Sequence, residues 1–158
     1  MNKDYCKLDT KVILSKNDFD LIVEHGKSCL PEEACGLIAG LIEEVTADDS
    51  EHTYQVKTVK KVYPMTNTDH SNEHFNIDPM EQLKAIKDMR ALGFVPLGNF
   101  HSHPETPSRP SEEDKKLAYD SKPSYMILSL MDGTNPVLNS FHIESDNVKI
   151  EKLVISEG

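Results

Sequence analysis

The chain has 158 residues, 37% of them hydrophobic and 28% charged, and its 17 basic and 27 acidic residues give a formal net charge of −10. That is the length of one domain with a real core, and the acidic balance argues against nucleic acid as a partner, because phosphate binding needs a basic footprint. No window approaches a membrane span and the N-terminus has no signal-peptide pattern, so no membrane partner is expected and a cytoplasmic location is.

Lys11 to Leu14 reads as a short first strand. Ser15, with Asp18 three residues later, is a capping pattern. Phe19, Ile22, Val23, Gly26, Cys29 and Leu30 then keep helical spacing, which predicts an amphipathic helix over 16–29 that Pro31 ends. Cys35 to Ile42 is small and apolar and reads as a buried strand. Residues 43–52 are acidic and aperiodic, the pattern of an exposed, mobile hairpin loop. Tyr54 to Tyr63 is β-branched and alternates with one break, predicting a strand with a bulge. Residues 64–76 are irregular and polar.

Asp78-Pro79-Met80-Glu81 opens a helix, with Asp as cap and Pro at the first helical position. Leu83, Ala85, Ile86, Met89 and Leu92 make its expected apolar face, and Gly93 stops it. Val95 to His103 is a strand, and Ser111 caps a third helix over 112–121. Tyr125 to Met131 is an apolar run, the pattern of a central strand. Val137 to Ile143 and Val148 to Ile155 form a hairpin across Ser145-Asp146-Asn147. No repeat or linker divides the chain, so the pattern is one α/β domain with a mixed sheet.

The chemistry concentrates in Asn99-Phe100-His101-Ser102-His103-Pro104 and the segment that follows it. In an extended strand, side chains at i and i+2 share a face. His101 and His103 can therefore aim at one point, and Asp114 can join them if the proline-rich loop folds back. Two imidazoles and a carboxylate with a fourth position open make a zinc site of the catalytic type. Ser102 falls on the opposite face and is assigned to structure. His70 and His74 are four apart but lie in a loop, which does not supply the geometry of a second site. His25, His52 and His142 have no evident partner. Three cysteines, Cys6, Cys29 and Cys35, with no Cys-x-x-Cys spacing, fit reduced thiols. Cys35 reads either as a small buried hydrophobe or as a thiol near the metal.

His-Ser-His-Pro, six residues, then Ser-x-x-Asp resembles the signature of the JAMM metalloprotease family, also called MPN+. The family's upstream glutamate, in a Pro-x-Glu context, matches Glu33 in Pro31-Glu32-Glu33-Ala34-Cys35-Gly36. Tyr63-Pro64-Met65-Thr66-Asn67 and Phe75-Asn76-Ile77-Asp78-Pro79 extend the similarity over nearly the whole chain. The resemblance implies a JAMM/MPN domain over 8–156, a curved mixed sheet packed with helices and similar in architecture to cytidine deaminases. It implies Zn²⁺ on His101, His103 and Asp114, with Glu33 as general base and then acid. It also implies that Ser111 donates to the developing oxyanion. A plain helix cap at Ser111 is compatible with that role.

Asp114 stands ten residues before Ser124, which leaves no room for the insertions of eukaryotic-type deubiquitinases. The chain is thus similar to stand-alone peptidases acting on the Gly-Gly tail of ubiquitin-like sulfur-carrier proteins, for example in releasing a C-terminal cysteine. The alternatives are a non-catalytic MPN scaffold, which would lack a ligand, and a general small-peptide zinc peptidase. A zinc deaminase would need His-x-Glu and Pro-Cys-x-x-Cys, and the chain has neither. Asn67 reads equally as a residue that fixes the substrate tail at a strand edge over 59–67 or as one that shapes a turn.

Overall fold

The computed structural model describes residues 6–48 and 52–157. Ten elements follow one another: β1 (Cys6–Ser15), α1 (Lys16–Cys29), β2 (Cys35–Thr46), β3 (Thr53–Met65), α2 (Pro79–Ala91), β4 (Val95–His103), α3 (Glu112–Leu117), β5 (Ser124–Ser129), β6 (Val137–Glu144) and β7 (Asn147–Ser156). The strands close into a mixed barrel in the order β1-β3-β2-β4-β5-β6-β7. β4 runs parallel to β5 and β1 parallel to both β3 and β7, while the other pairs are antiparallel. The described residues form a single mixed α/β domain with three helices.

The helices begin where their caps stand. The Ser15 side chain accepts from the Asp18 N–H, and that of Asp78 accepts from Met80 and Glu81 N–H groups ahead of Pro79. Gly93, at φ +79°, adopts the left-handed conformation that ends α2. α1 covers one face of the sheet, where Ile22 joins Val12, Leu14, Ile38, Phe100, Met126 and Leu128. α2 covers the opposite face, where Ala85 and Met89 pack on Cys35, Ala39, Tyr63 and Met65. The strands of β2 and β4 come close at Gly36, where an added Cβ would lie 2.3 Å from the Phe100 ring.

Several boundaries differ from expectation. β2 and β3 run on through much of the acidic stretch, and the Ala47 N–H donates to the His52 carbonyl near the hairpin end. Residues 49–51 of that expected loop lie outside the described residues. The bulge expected in the Tyr54–Tyr63 strand is present in β3, where Ala39 pairs with Lys61 and Gly40 with Val59, leaving Lys60 as the extra residue. Pro64 belongs to β3. α3 stops at Leu117 rather than 121, and none of its residues is buried. Leu83 and Leu92 are about half exposed, so the buried stripe of α2 is narrower than its apolar spacing suggests.

Candidate metal centre

Alternation along β4 sets the site. His101 and His103 point to the α2 side, while Phe100 enters the core on the other. Ser102 does the structural work assigned to it. Its hydroxyl accepts from the Ala34 N–H at 2.8 Å, and its own N–H donates to the Ala34 carbonyl at 3.0 Å. This double link pins the start of β2 to the end of β4 and brings Glu33 beside the histidines.

α3 supplies the third group. The two Nε2 atoms of His101 and His103 are 3.2 Å apart, and Asp114 Oδ2 lies 3.2 Å from the first and 3.1 Å from the second. A tetrahedral zinc with bonds of ~2.0–2.1 Å separates its ligands by about 3.3 Å. The triangle of donors is therefore the size of one face of such a tetrahedron. Among the described residues this is the one His/Cys/Asp/Glu group of three that converges in this way.

The surroundings orient each donor. His103 Nδ1–H donates to the Pro107 carbonyl at 2.9 Å, which leaves Nε2 as the ring nitrogen that faces the centre. Phe75 stacks on the His101 ring at 4.6 Å. Ser108 fixes the loop between the ligands, its hydroxyl donating to the Ile127 carbonyl at 2.6 Å while Asn139 Nδ2 donates to the Ser108 carbonyl. Neither Pro107, Phe75 nor Asn139 was legible as a supporting residue, because strand register and loop path are not in the spacing. Only the segment containing Phe75 carried a signal, as part of the family resemblance.

The charges are unusual. Burial would raise the Asp114 pKa, but His101, His103 and the Ser111 N–H hold the carboxyl far below its usual range. Burial pulls His103 down, yet its hydrogen bonds to Asp114 and Pro107 outweigh this and its pKa is raised. Glu33 is 3% exposed, and burial pushes its carboxyl up to about 8 against the pull of His103. Among the described residues, the buried side-chain atoms with no hydrogen-bond partner are Glu33 Oε1, His101 Nδ1 and Asn99 Oδ1. His101 and Asn99 are on β4, and Glu33 stands just before β2. Buried orphans on this scale mark a place meant for water, an ion or a ligand.

The other residues singled out in the sequence take separate places. The Ser111 side chain accepts from the Asp114 N–H, so the cap and the site coincide. Cys35 is fully buried and burial pushes its thiol up to about 12, which makes it a packing group. His70 pairs with Glu32 at 3.2 Å and His74 with Asp69 at 2.9 Å, two separate exposed contacts rather than one cluster. His25 Nε2 lies 3.1 Å from both the Cys35 and Met65 carbonyls, tying α1 to the ends of β2 and β3. Asn67 is turned to its own loop. Its Nδ2 donates to the carbonyls of Glu33 and His74, and its Oδ1 accepts from the Asp69 and Asn76 N–H groups. Both ends of the carboxamide are occupied, which favours the turn over the tail.

The family described as prokaryotic homologs of the JAB domain matches residues 15–144. The chain is 32% identical over 136 residues to the CysO-cysteine peptidase of Mycobacterium tuberculosis, covering 86% of this chain and 85% of that protein. A Desulfitobacterium hafniense protein solved in solution is similar at TM-score 0.79 and 46% identity, covering 93% of this chain and 94% of its own. A JAB1/MPN domain protein from Archaeoglobus fulgidus shares the fold at TM-score 0.50 and 19% identity, covering 93% and 99%.

Proposed function

The chain belongs to the family of prokaryotic homologs of the JAB domain, and from that premise we propose that it is a zinc-dependent peptidase acting at the C-terminal Gly-Gly tail of a ubiquitin-like or sulfur-carrier protein. The observation that carries the reading is the convergence of His101, His103 and Asp114 beside the buried Glu33 carboxyl. A scaffold module would have no use for such a set. The substrate class is supported by the short segment between Asp114 and β5, and by the likeness to a protein named CysO-cysteine peptidase.

His101, His103 and Asp114 would hold Zn²⁺, which supplies a Lewis acid for the scissile carbonyl and lowers the pKa of water toward ~7. Glu33 accepts a proton from the attacking water and delivers it to the leaving amine as the C–N bond breaks. Its raised pKa makes it a competent acid near neutrality, and a nearby divalent cation would draw it back toward the carboxylate that the first step needs. The Ser111 oxygen accepts from the Asp114 N–H and keeps its own proton free to donate where negative charge develops.

The test is cleavage of the host's own ubiquitin-like proteins bearing C-terminal extensions, followed by intact mass. Loss of the extension after Gly-Gly, abolished by a chelator, is the expected result. No cleavage of any such protein by the zinc-loaded chain would end the reading.

A further inference from the structure

Asn99 lies two residues before His101 on the same strand. It is paired with Leu37 of β2 on one side and Tyr125 of β5 on the other. Packing alone would place an apolar side chain between them. A carboxamide there loses solvation, and its buried Oδ1 has no partner. The Tyr125 hydroxyl does not help, since it donates to the Asp120 carbonyl. Asn67 shows what a structural asparagine looks like in this fold, with both ends of its carboxamide hydrogen-bonded.

Two cavities meet at this residue. One, of about 370 Å³, reaches His101 and Asp114 and has walls that include Phe75, Ile77 and Tyr125. The other, of about 430 Å³, leads away past Leu37, Ile42 and Pro96. Asn99 of β4 and Gln82 of α2 line both. Together the cavities form a trough that starts at the donor cluster and runs outward, which suits an extended chain leading back to a folded domain.

We propose that Asn99 is a substrate-binding residue whose carboxamide pairs with one peptide group of the substrate tail lying in this trough. The inference rests on the peptidase reading above. A carboxamide offers one donor and one acceptor in a plane, the complement of a peptide N–H and C=O. Its terminal torsion is broad, so either end can turn into the trough. A strand advances ~3.3 Å per residue, so the group it holds is about two residues from the scissile bond, on the acyl side.

The test is binding of a fluorescent heptapeptide ending in Gly-Gly-Ser to the zinc-loaded Glu33→Gln protein, which does not turn it over. Asn99→Leu in that background should weaken binding about 10-fold, the size of one lost buried hydrogen bond. Its Tm should stay level or rise, because a buried orphan is removed. N-methylation of the tail amide two residues before the scissile bond should weaken the parent about 10-fold and the Asn99→Leu protein far less. This peptide arm reads the parent protein directly, so a poorly folding variant does not empty the test. Equal binding by parent and variant, or an N-methyl effect confined to the leaving side, would overturn the assignment. Wild-type protein that cleaves Gly-Gly tails while Asn99→Leu keeps its full kcat/KM defeats this inference and leaves the peptidase reading standing. Asn99-dependent peptide binding without any cleavage does the reverse.

Discussion

Asp114 Oδ2 accepts the Ser111 N–H at 2.9 Å while the Ser111 hydroxyl accepts the Asp114 N–H at 3.0 Å. The cap of α3 and the third member of the His101–His103–Asp114 cluster are thus one structure. A six-residue helix has little stability of its own, and the cap is what holds its carboxylate against two imidazoles. Ser111→Ala should cost ~1 kcal/mol of capping and lower kcat on the order of 10²-fold, with zinc retained. Asp114→Asn keeps an oxygen for the cap but loses the charge, so the fold should survive while most zinc is lost. Melting curves beside metal content and turnover separate the two effects; zinc loss in Ser111→Ala matching that in Asp114→Asn would mean Ser111 acts only through the ligand.

The donor triangle predicts about one zinc per chain, as an open three-ligand site implies. Because the ion binds the folded chain, added zinc should raise the Tm of the wild type. His101→Ala/His103→Ala should show neither bound zinc nor the Tm increase. Full occupancy of the double variant would place the metal elsewhere.

Glu33 gives a prediction with a sign. Its pKa rises from an ordinary 4.5 to about 8 on folding. Between those values the unfolded chain releases a proton that the folded chain keeps, so stability falls as pH rises through that window and levels off above it. His103, whose folded pKa is also raised, contributes stability present below its ordinary 6.5 that is lost as pH rises through the folded value. Both act in the same direction. The metal-free protein should therefore lose Tm from pH 5 to pH 8. Glu33→Gln should lose less and be the more stable of the two at pH 8, while in the zinc-loaded state it keeps metal but loses turnover. Identical pH slopes for wild type and variant would show that Glu33 is ionised throughout.

The elements that were legible are those with chemical punctuation. Ser15, Asp78 and Ser111 cap real helices, Gly93 and Pro31 stand at real ends, and the i, i+2 histidines share a strand face. Errors arose where tertiary contacts decide. Leu83 has helical spacing with Ile86, yet α2 meets the sheet along a stripe too narrow to take it. Residues 118–121 read as helix, yet α3 ends at Leu117 and Ala118 packs on the Ile127 and Phe141 cluster outside it. The support of His103 by Pro107 and of His101 by Phe75 depends on loop path and register, which no local pattern encodes.

Asn67 carries the consequence of one such resolution. Its carboxamide ties the Glu33 carbonyl to the 67–76 loop, and the Glu33 N–H donates to Ser71 in the same loop. Asn67→Ala would leave buried carbonyls and N–H groups without partners, at a cost of roughly 1–3 kcal/mol. The expected phenotype is a lower Tm with a fall in kcat through a displaced Glu33, and unchanged zinc content. A variant of wild-type stability with only KM raised would restore direct contact with substrate.

The last prediction concerns the tail itself. For its carbonyl to reach the donor cluster, the substrate must lie in extended form along the cavity that reaches His101 and Asp114. Glycine, without a Cβ, lets backbone approach closely and adopts conformations other residues resist. Valine adds a branched side chain that restricts both. Replacing the penultimate glycine of the substrate by valine should therefore reduce kcat/KM sharply while leaving metal binding untouched. The cavity beside His101, at about 370 Å³, is large enough to hold a side chain of some size. The measurement thus has two distinct outcomes. A steep preference for Gly-Gly over Val-Gly means the constriction lies at the metal and the cavity serves another part of the chain. Equal cleavage of the two means the cavity takes the penultimate side chain, and the enzyme is a general peptidase rather than one built for glycine tails.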